Sequence, residues 1–135
     1  MFFQSVTPVS GLPFFFVSIM REQEHNIQVA CVEWFRYRFP KGLIFAIPNG
    51  GHRDVRVARK MKAEGVTAGV PDLCVPMAMH GYHALYVEMK NGKAGRVSEA
   101  QRSVMEKLSG EGNRCVVCRS FDEFRAEVES YMAVT

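Results

Sequence analysis

The stretch His83–Lys90, HALYVEMK, constrains this chain more than any other. In extended backbone, alternate residues project from opposite faces. Leu85, Val87 and Met89 therefore share one face, while Tyr86, Glu88 and Lys90 share the other. Such alternation describes a strand with one face buried, and a lone strand has nothing to bury it against. The chain must build a sheet and cover its apolar face. It must also account for a carboxylate and an ammonium side by side on the opposite face.

The rest of the chain supplies the partners. Upstream, Val70-Pro71 leads into a second strand, Asp72 to Val75, and His80-Gly81-Tyr82 reads as the hairpin connection. Residues 21–39 carry Ile27, Cys31, Trp34 and Phe35 at helical spacing, which predicts a helix that ends before Pro40. LIFAIP (43–48) is a short strand stopped by Pro48, and NGGHR is a turn. DVRVARKMKAEG (54–65) predicts a helix closed by Gly65, with Val55, Ala58 and Met61 as its inner face. Ser98 and Gln101 have the spacing of a capping box, opening a helix to about Leu108. RCVVCR (114–119) is a strand, and Ser120 caps a closing helix with Phe124, Val128 and Tyr131 inward. The order α-β-α-β-β-α-β-α predicts an α/β domain with a mixed β-sheet flanked by helices on both faces.

A chain of 135 residues suits one such domain with one core. Its net charge of +3, from 17 Lys and Arg against 14 Asp and Glu, is too small to argue for nucleic acid by itself. Local clustering is more telling. Arg53, Arg56, Arg59, Lys60 and Lys62 fall within ten residues, directly after Asn49-Gly50-Gly51-His52. Glycine lets backbone approach a phosphate closely, and the cations supply sequence-independent phosphate affinity. Lys93 and Arg96, in the loop after the charged strand, can meet the same backbone. The plain alternative is a turn followed by a solvated helix face.

Other chemistries find little support. The four cysteines include only one close pair, Cys115 and Cys118, inside an apolar strand, so buried reduced thiols in a cytoplasmic protein are expected. His25, His52, His80 and His83 lack metal-ligand spacing, and no phosphate-binding Gly-Lys-Ser/Thr loop occurs. The apolar runs of residues 1–20 are too short to span a bilayer, so no membrane association is expected. These residues form an N-terminal extension, either upstream of a start at Met20 or an added strand at an interface. The functional domain is expected over residues 21–135.

Asp72 opens the strand beside Glu88, so the two carboxylates can approach across the hairpin. Mg²⁺ favours hard oxygen ligands of this kind, and a neighbouring Lys90 could orient or activate water and balance charge on a phosphate. The same letters also make an ordinary cross-strand ion pair, which is the commoner outcome of the bare pattern.

The wider context separates these readings. Glu24 and Gln28 on the first helix, Pro48-Asn49-Gly50-Gly51, Lys62-x-x-Gly65 and Gly69-Val70-Pro71-Asp72 occur in that order. They continue as Tyr86-Val87-Glu88-Met89-Lys90, Ser98-x-x-Gln101 and a last helix with Tyr131. Over about residues 22–132 the chain resembles the VRR-NUC family, a branch of the PD-(D/E)xK nuclease superfamily with a restriction-endonuclease-like core. The resemblance implies a Mg²⁺- or Mn²⁺-dependent endonuclease acting on DNA. It implies Asp72, Glu88 and the Met89 carbonyl as metal ligands, Lys90 as the catalytic lysine, and Glu24 projecting into the site. Gln101 would hold the site or the nucleophile, a role that competes with capping because a capping side chain points back at its own helix. Short stand-alone members look like homodimers that cut branched DNA, including four-way (Holliday) junctions as intermediates of DNA repair. Such a member suits a phage. Trp34, Phe35, Tyr37 and Phe39, with the apolar leader, are candidate interface residues, though core is the commoner fate of such aromatics. The rival readings are a monomeric flap or single-strand nuclease and a catalytically silent DNA-binding module.

Overall fold

The structure is a computed structural model that describes residues 14–48, 54–93 and 95–134. Its elements follow the expected order: α1 (Phe14–Arg38), β1 (Phe45–Ala46), α2 (Val55–Ala63), β2 (Leu73–Val75), β3 (Leu85–Met89), α3 (Glu99–Gly110), β4 (Arg114–Cys118) and α4 (Phe121–Met132). The strands lie side by side as β1-β2-β3-β4. The first three are antiparallel, and β4 runs parallel to β3, with α3 as the crossover between them.

The alternation in β3 is realised as expected. Leu85, Val87 and Met89 are buried and join Leu73, Val75 and Cys118 in one core. Cys31 and Phe35 of α1, and Phe124, Val128 and Tyr131 of α4, cover this face. The Tyr131 hydroxyl donates to the Met77 carbonyl at 2.6 Å, which ties the last helix to the hairpin. On the opposite face lies α3, where the Cys115 thiol reaches the Met105 carbonyl. No helix among the described residues is long and apolar enough to cross a membrane. All four cysteines are free, and burial pushes the Cys31 and Cys118 thiols up to about 12, leaving them unreactive packing residues.

Three expectations need correction. Helix α1 starts at Phe14 rather than near residue 21. Of the aromatic residues proposed for an interface, Phe35 is interior, and Trp34 and Phe39 are half-buried against the core. Phe35 is fully buried, Phe39 packs against the core, and the Trp34 ring makes edge contacts with Phe39, Phe121 and Phe124. Helices α1 and α4 need these rings to fill the space between them, and only Tyr37 remains exposed, at 87 %. Finally, α2 has no inner face. Among the described residues it buries no side chain: Val55 and Ala58 are exposed, and Met61 is half-buried.

Candidate active site

The hairpin positions the two carboxylates. Leu73 pairs with Val87, which places Asp72 opposite Glu88 at the mouth of β2 and β3. Asp72 is fixed at both ends. Its carbonyl accepts from Ile47 N at 2.8 Å, and its carboxylate Oδ2 accepts from Met89 N at 2.7 Å. Glu88 is the one charged side chain buried among the described residues, at 3 % exposure. Its Oε2 accepts from Gln101 Nε2 at 2.8 Å and lies 3.4 Å from Lys90 Nζ. Its Oε1 is buried and has no hydrogen-bond partner.

Burial pushes these acids towards their neutral forms, and for Glu88 and Glu24 the neighbouring Asp72 adds to it. Burial, then the neighbouring Asp72, raises Glu88 to about 7, while Lys90 opposes the shift. Burial also raises Asp72, opposed by the Met89 N–H, then by Lys90 and the Glu88 side chain. Glu24 of α1 is raised by burial and then by Asp72, and lowered by Lys90. Three carboxyls and one ammonium from α1, the β2 entry and β3 thus share one electrostatic environment.

Gln101 performs both roles that seemed to compete. Its Oε1 accepts from Ser98 N at 2.9 Å, closing the capping box, while Nε2 reaches Glu88. A side-chain amide has an acceptor at one end and a donor at the other, so one residue serves both. The seat of α3 depends on Gly69, where φ is +94° and an added Cβ would lie 2.4 Å from the Ala100 carbonyl oxygen. Gly95 likewise folds back on Lys90, within 3.1 Å of its Cβ for an added methyl.

A further contributor escaped the sequence reading. Arg119 donates to the carbonyls of Gly92 and Gly95 and so pins the loop that follows Lys90. A lone arginine at a strand end carries no signal that would single it out. Of the expected DNA-contact residues, Arg56, Arg59, Lys60 and Lys62 are exposed on α2, and Lys93 and Arg96 are exposed on the loop. Asn49, Gly50, Gly51, His52 and Arg53 lie outside the described residues. Glu24 and Gln28 line a groove of about 570 Å³ that continues along α1 past Val32 to Arg36.

Among the described residues, no group of three or more His, Cys, Asp or Glu side chains is arranged to hold a metal. A cation at this site would rest on Asp72, Glu88 and backbone oxygen. These groups suit one: Asp72 and Glu88 lie opposite each other across the hairpin with Lys90 beside them, and the buried Glu88 Oε1 is a hard donor without a hydrogen-bond partner.

Comparison with known proteins bears on the family and the fold. The chain is similar to a solved structure described as a "VRR_NUC domain protein", at 29 % identity and a TM-score of 0.71, over 81 % of this chain and 87 % of that one. No curated protein matches. The model of the VRR-NUC domain matches residues 22–122, a span that holds Glu24, Asp72, Glu88, Lys90 and Gln101. With that span and the mixed sheet around it, the chain belongs to the VRR-NUC domain family and carries its nuclease-type fold.

Proposed function

We propose that this protein is a Mg²⁺- or Mn²⁺-dependent endodeoxyribonuclease that hydrolyses phosphodiester bonds in branched DNA as a homodimer. The observation that carries the reading is the unpaired Glu88 Oε1, buried beside Asp72 with Lys90 on the same face. A carboxylate buried only for an ion pair has no reason to leave one oxygen without a partner, since such an atom costs about 1–3 kcal/mol.

In this reading Asp72, Glu88 and the Met89 carbonyl hold the cation. When bound, it polarises the phosphate and makes a bound water more acidic. Lys90, with 16 % of its side chain exposed, is close enough to the carboxylates to orient the attacking water. Its ammonium also offsets the negative charge that grows on phosphorus-bound oxygen as water adds and the P–O bond breaks. Glu24 borders the same space from α1 and orients solvent there. Arg56, Arg59, Lys60 and Lys62, with Lys93 and Arg96, grip backbone phosphates on either side. A two-fold dimer suits a junction because two identical sites address two strands symmetrically. The free thiols are compatible with a cytoplasmic setting.

The test is cleavage of an end-labelled four-way junction, beside flap and plain duplex, with Mg²⁺, Mn²⁺ or EDTA. Paired, metal-dependent cuts are expected in the junction, falling by ~10²–10⁴-fold in Lys90→Ala. Preferred cutting of flaps by a monomer would replace the junction reading. Binding without cleavage under every metal would refute the enzyme.

A further inference from the structure

The buried Glu88 has two oxygens with different surroundings, and the difference traces back to the start of α3. Oε2 takes the Gln101 Nε2 donor, and Oε1 takes none. That division requires the Gln101 amide to face one way only. Turned over, it would place its carbonyl oxygen against a carboxylate.

The amide is held in register from behind. Ser98 N–H can only donate, so Gln101 Oε1 must face it, at 2.9 Å, and Nε2 must then face Glu88. Ser98 adopts φ −76° and ψ 165°, the extended conformation that aims its N–H into the first turn. Gly69 lets that turn lie directly on the backbone three residues ahead of Asp72.

We propose that the backbone N–H of Ser98 is a positioning group for Glu88: through Gln101 it fixes which carboxylate oxygen is occupied and reserves Oε1 for a cation. This rests on the nuclease reading of the site. The capping box is thereby more than a helix start. Gln101 is the outer support of a ligand, one hydrogen bond removed from it, with the Ser98 N–H one bond further out, and such supports commonly control metal affinity by about 10–100-fold.

Proline tests the assignment closely, because its ring accepts the φ of Ser98 but removes the N–H. Ser98→Ala removes only the hydroxyl cap on Gln101 N and keeps the N–H. Binding of Mn²⁺ to the full chain, by calorimetry or electron paramagnetic resonance, is compared with Tm for each variant. Ser98→Ala is expected to lower Tm with Mn²⁺ affinity unchanged. Ser98→Pro and Gln101→Leu are each expected to weaken Mn²⁺ binding by ~10-fold or more. Equal Mn²⁺ affinity in Ser98→Pro and Ser98→Ala would overturn the proposal. So would wild-type affinity in Gln101→Leu, a variant that decides the matter even if the proline chain does not fold. Affinity that simply follows Tm across the series would reduce the capping box to a structural role. Wild type that binds no Mn²⁺ would instead remove the nuclease reading on which the proposal stands.

Discussion

The β2–β3 hairpin and helix α2 are built to opposite specifications. In the hairpin nearly every side chain is buried, and Asp72 and Glu88 are held by bonds from Met89 N and Gln101. Helix α2 buries nothing, and its ends are satisfied locally, by the Asp54 carboxylate accepting from Arg56 N and by Glu64 N donating back into the last turn. The contrast separates two tasks. Groups that must meet a small ion need positions fixed within a fraction of an ångström, and a packed sheet provides that. Groups that grip a polyanion need charge and reach, and an uncovered helix with Arg56, Arg59, Lys60 and Lys62 supplies both.

The sharpest way to test this division is to cut into each region with a similar substitution. Leu85→Ala, which empties a fully buried site in β3, is expected to cost ~2–5 kcal/mol in denaturant unfolding. Val57→Ala on α2 should stay within ~0.5 kcal/mol, and a cost near that of Leu85 would show that α2 is covered in solution. Next in size is Gly69→Ala. The added methyl collides with the Ala100 carbonyl at a positive φ, so a loss of ~1–3 kcal/mol is expected, and an unchanged Tm would mean that α3 can move aside.

A smaller effect should appear with pH. Glu88 rises from its ordinary 4.5 to about 7, chiefly through burial and then through Asp72. The folded state therefore holds that proton more tightly than the unfolded one. Without metal, stability is highest below about 4.5 on this account and falls as pH rises through about 7. The raised Asp72 and Glu24 act in the same direction. Melting in EDTA between pH 5 and 8 should show Tm declining, and Glu88→Gln should flatten the decline. A Tm that rises with pH in wild type would contradict the crowded-carboxylate picture. The smallest effect belongs to α2: Arg59→Ala or Lys60→Ala should reduce the salt dependence of DNA binding by ~1 in log-log slope, with Tm unchanged. An unchanged slope would take α2 out of the DNA interface.

Much of this was legible in the sequence because it follows from short periods. The alternation of Leu85, Val87 and Met89, the capping spacing of Ser98 and Gln101, and the inward set Phe124, Val128 and Tyr131 all recur in the fold. What stayed hidden depended on three-dimensional neighbours. Val55, Ala58 and Met61 have the spacing of an inner face, yet spacing does not say whether another element arrives to cover it. Trp34 is open to either an interface or a core role until Phe121 and Phe124 of α4 meet its ring. The double use of Gln101 and the grip of Arg119 on Gly92 and Gly95 join residues 13 and about 25 positions from their partners. No local pattern records such links.

The single parallel pairing in the sheet has an evolutionary consequence. Parallel neighbours cannot be joined by a tight turn, so β3 and β4 oblige the chain to make a long return journey, and α3 is that journey. The glutamine that steadies Glu88 thus rides on a piece of polypeptide that the topology demands anyway. A descendant could redraw the exposed basic surface of α2 without touching the core. It could not shed α3 without rewiring the sheet, so the support of the site is inherited together with the fold.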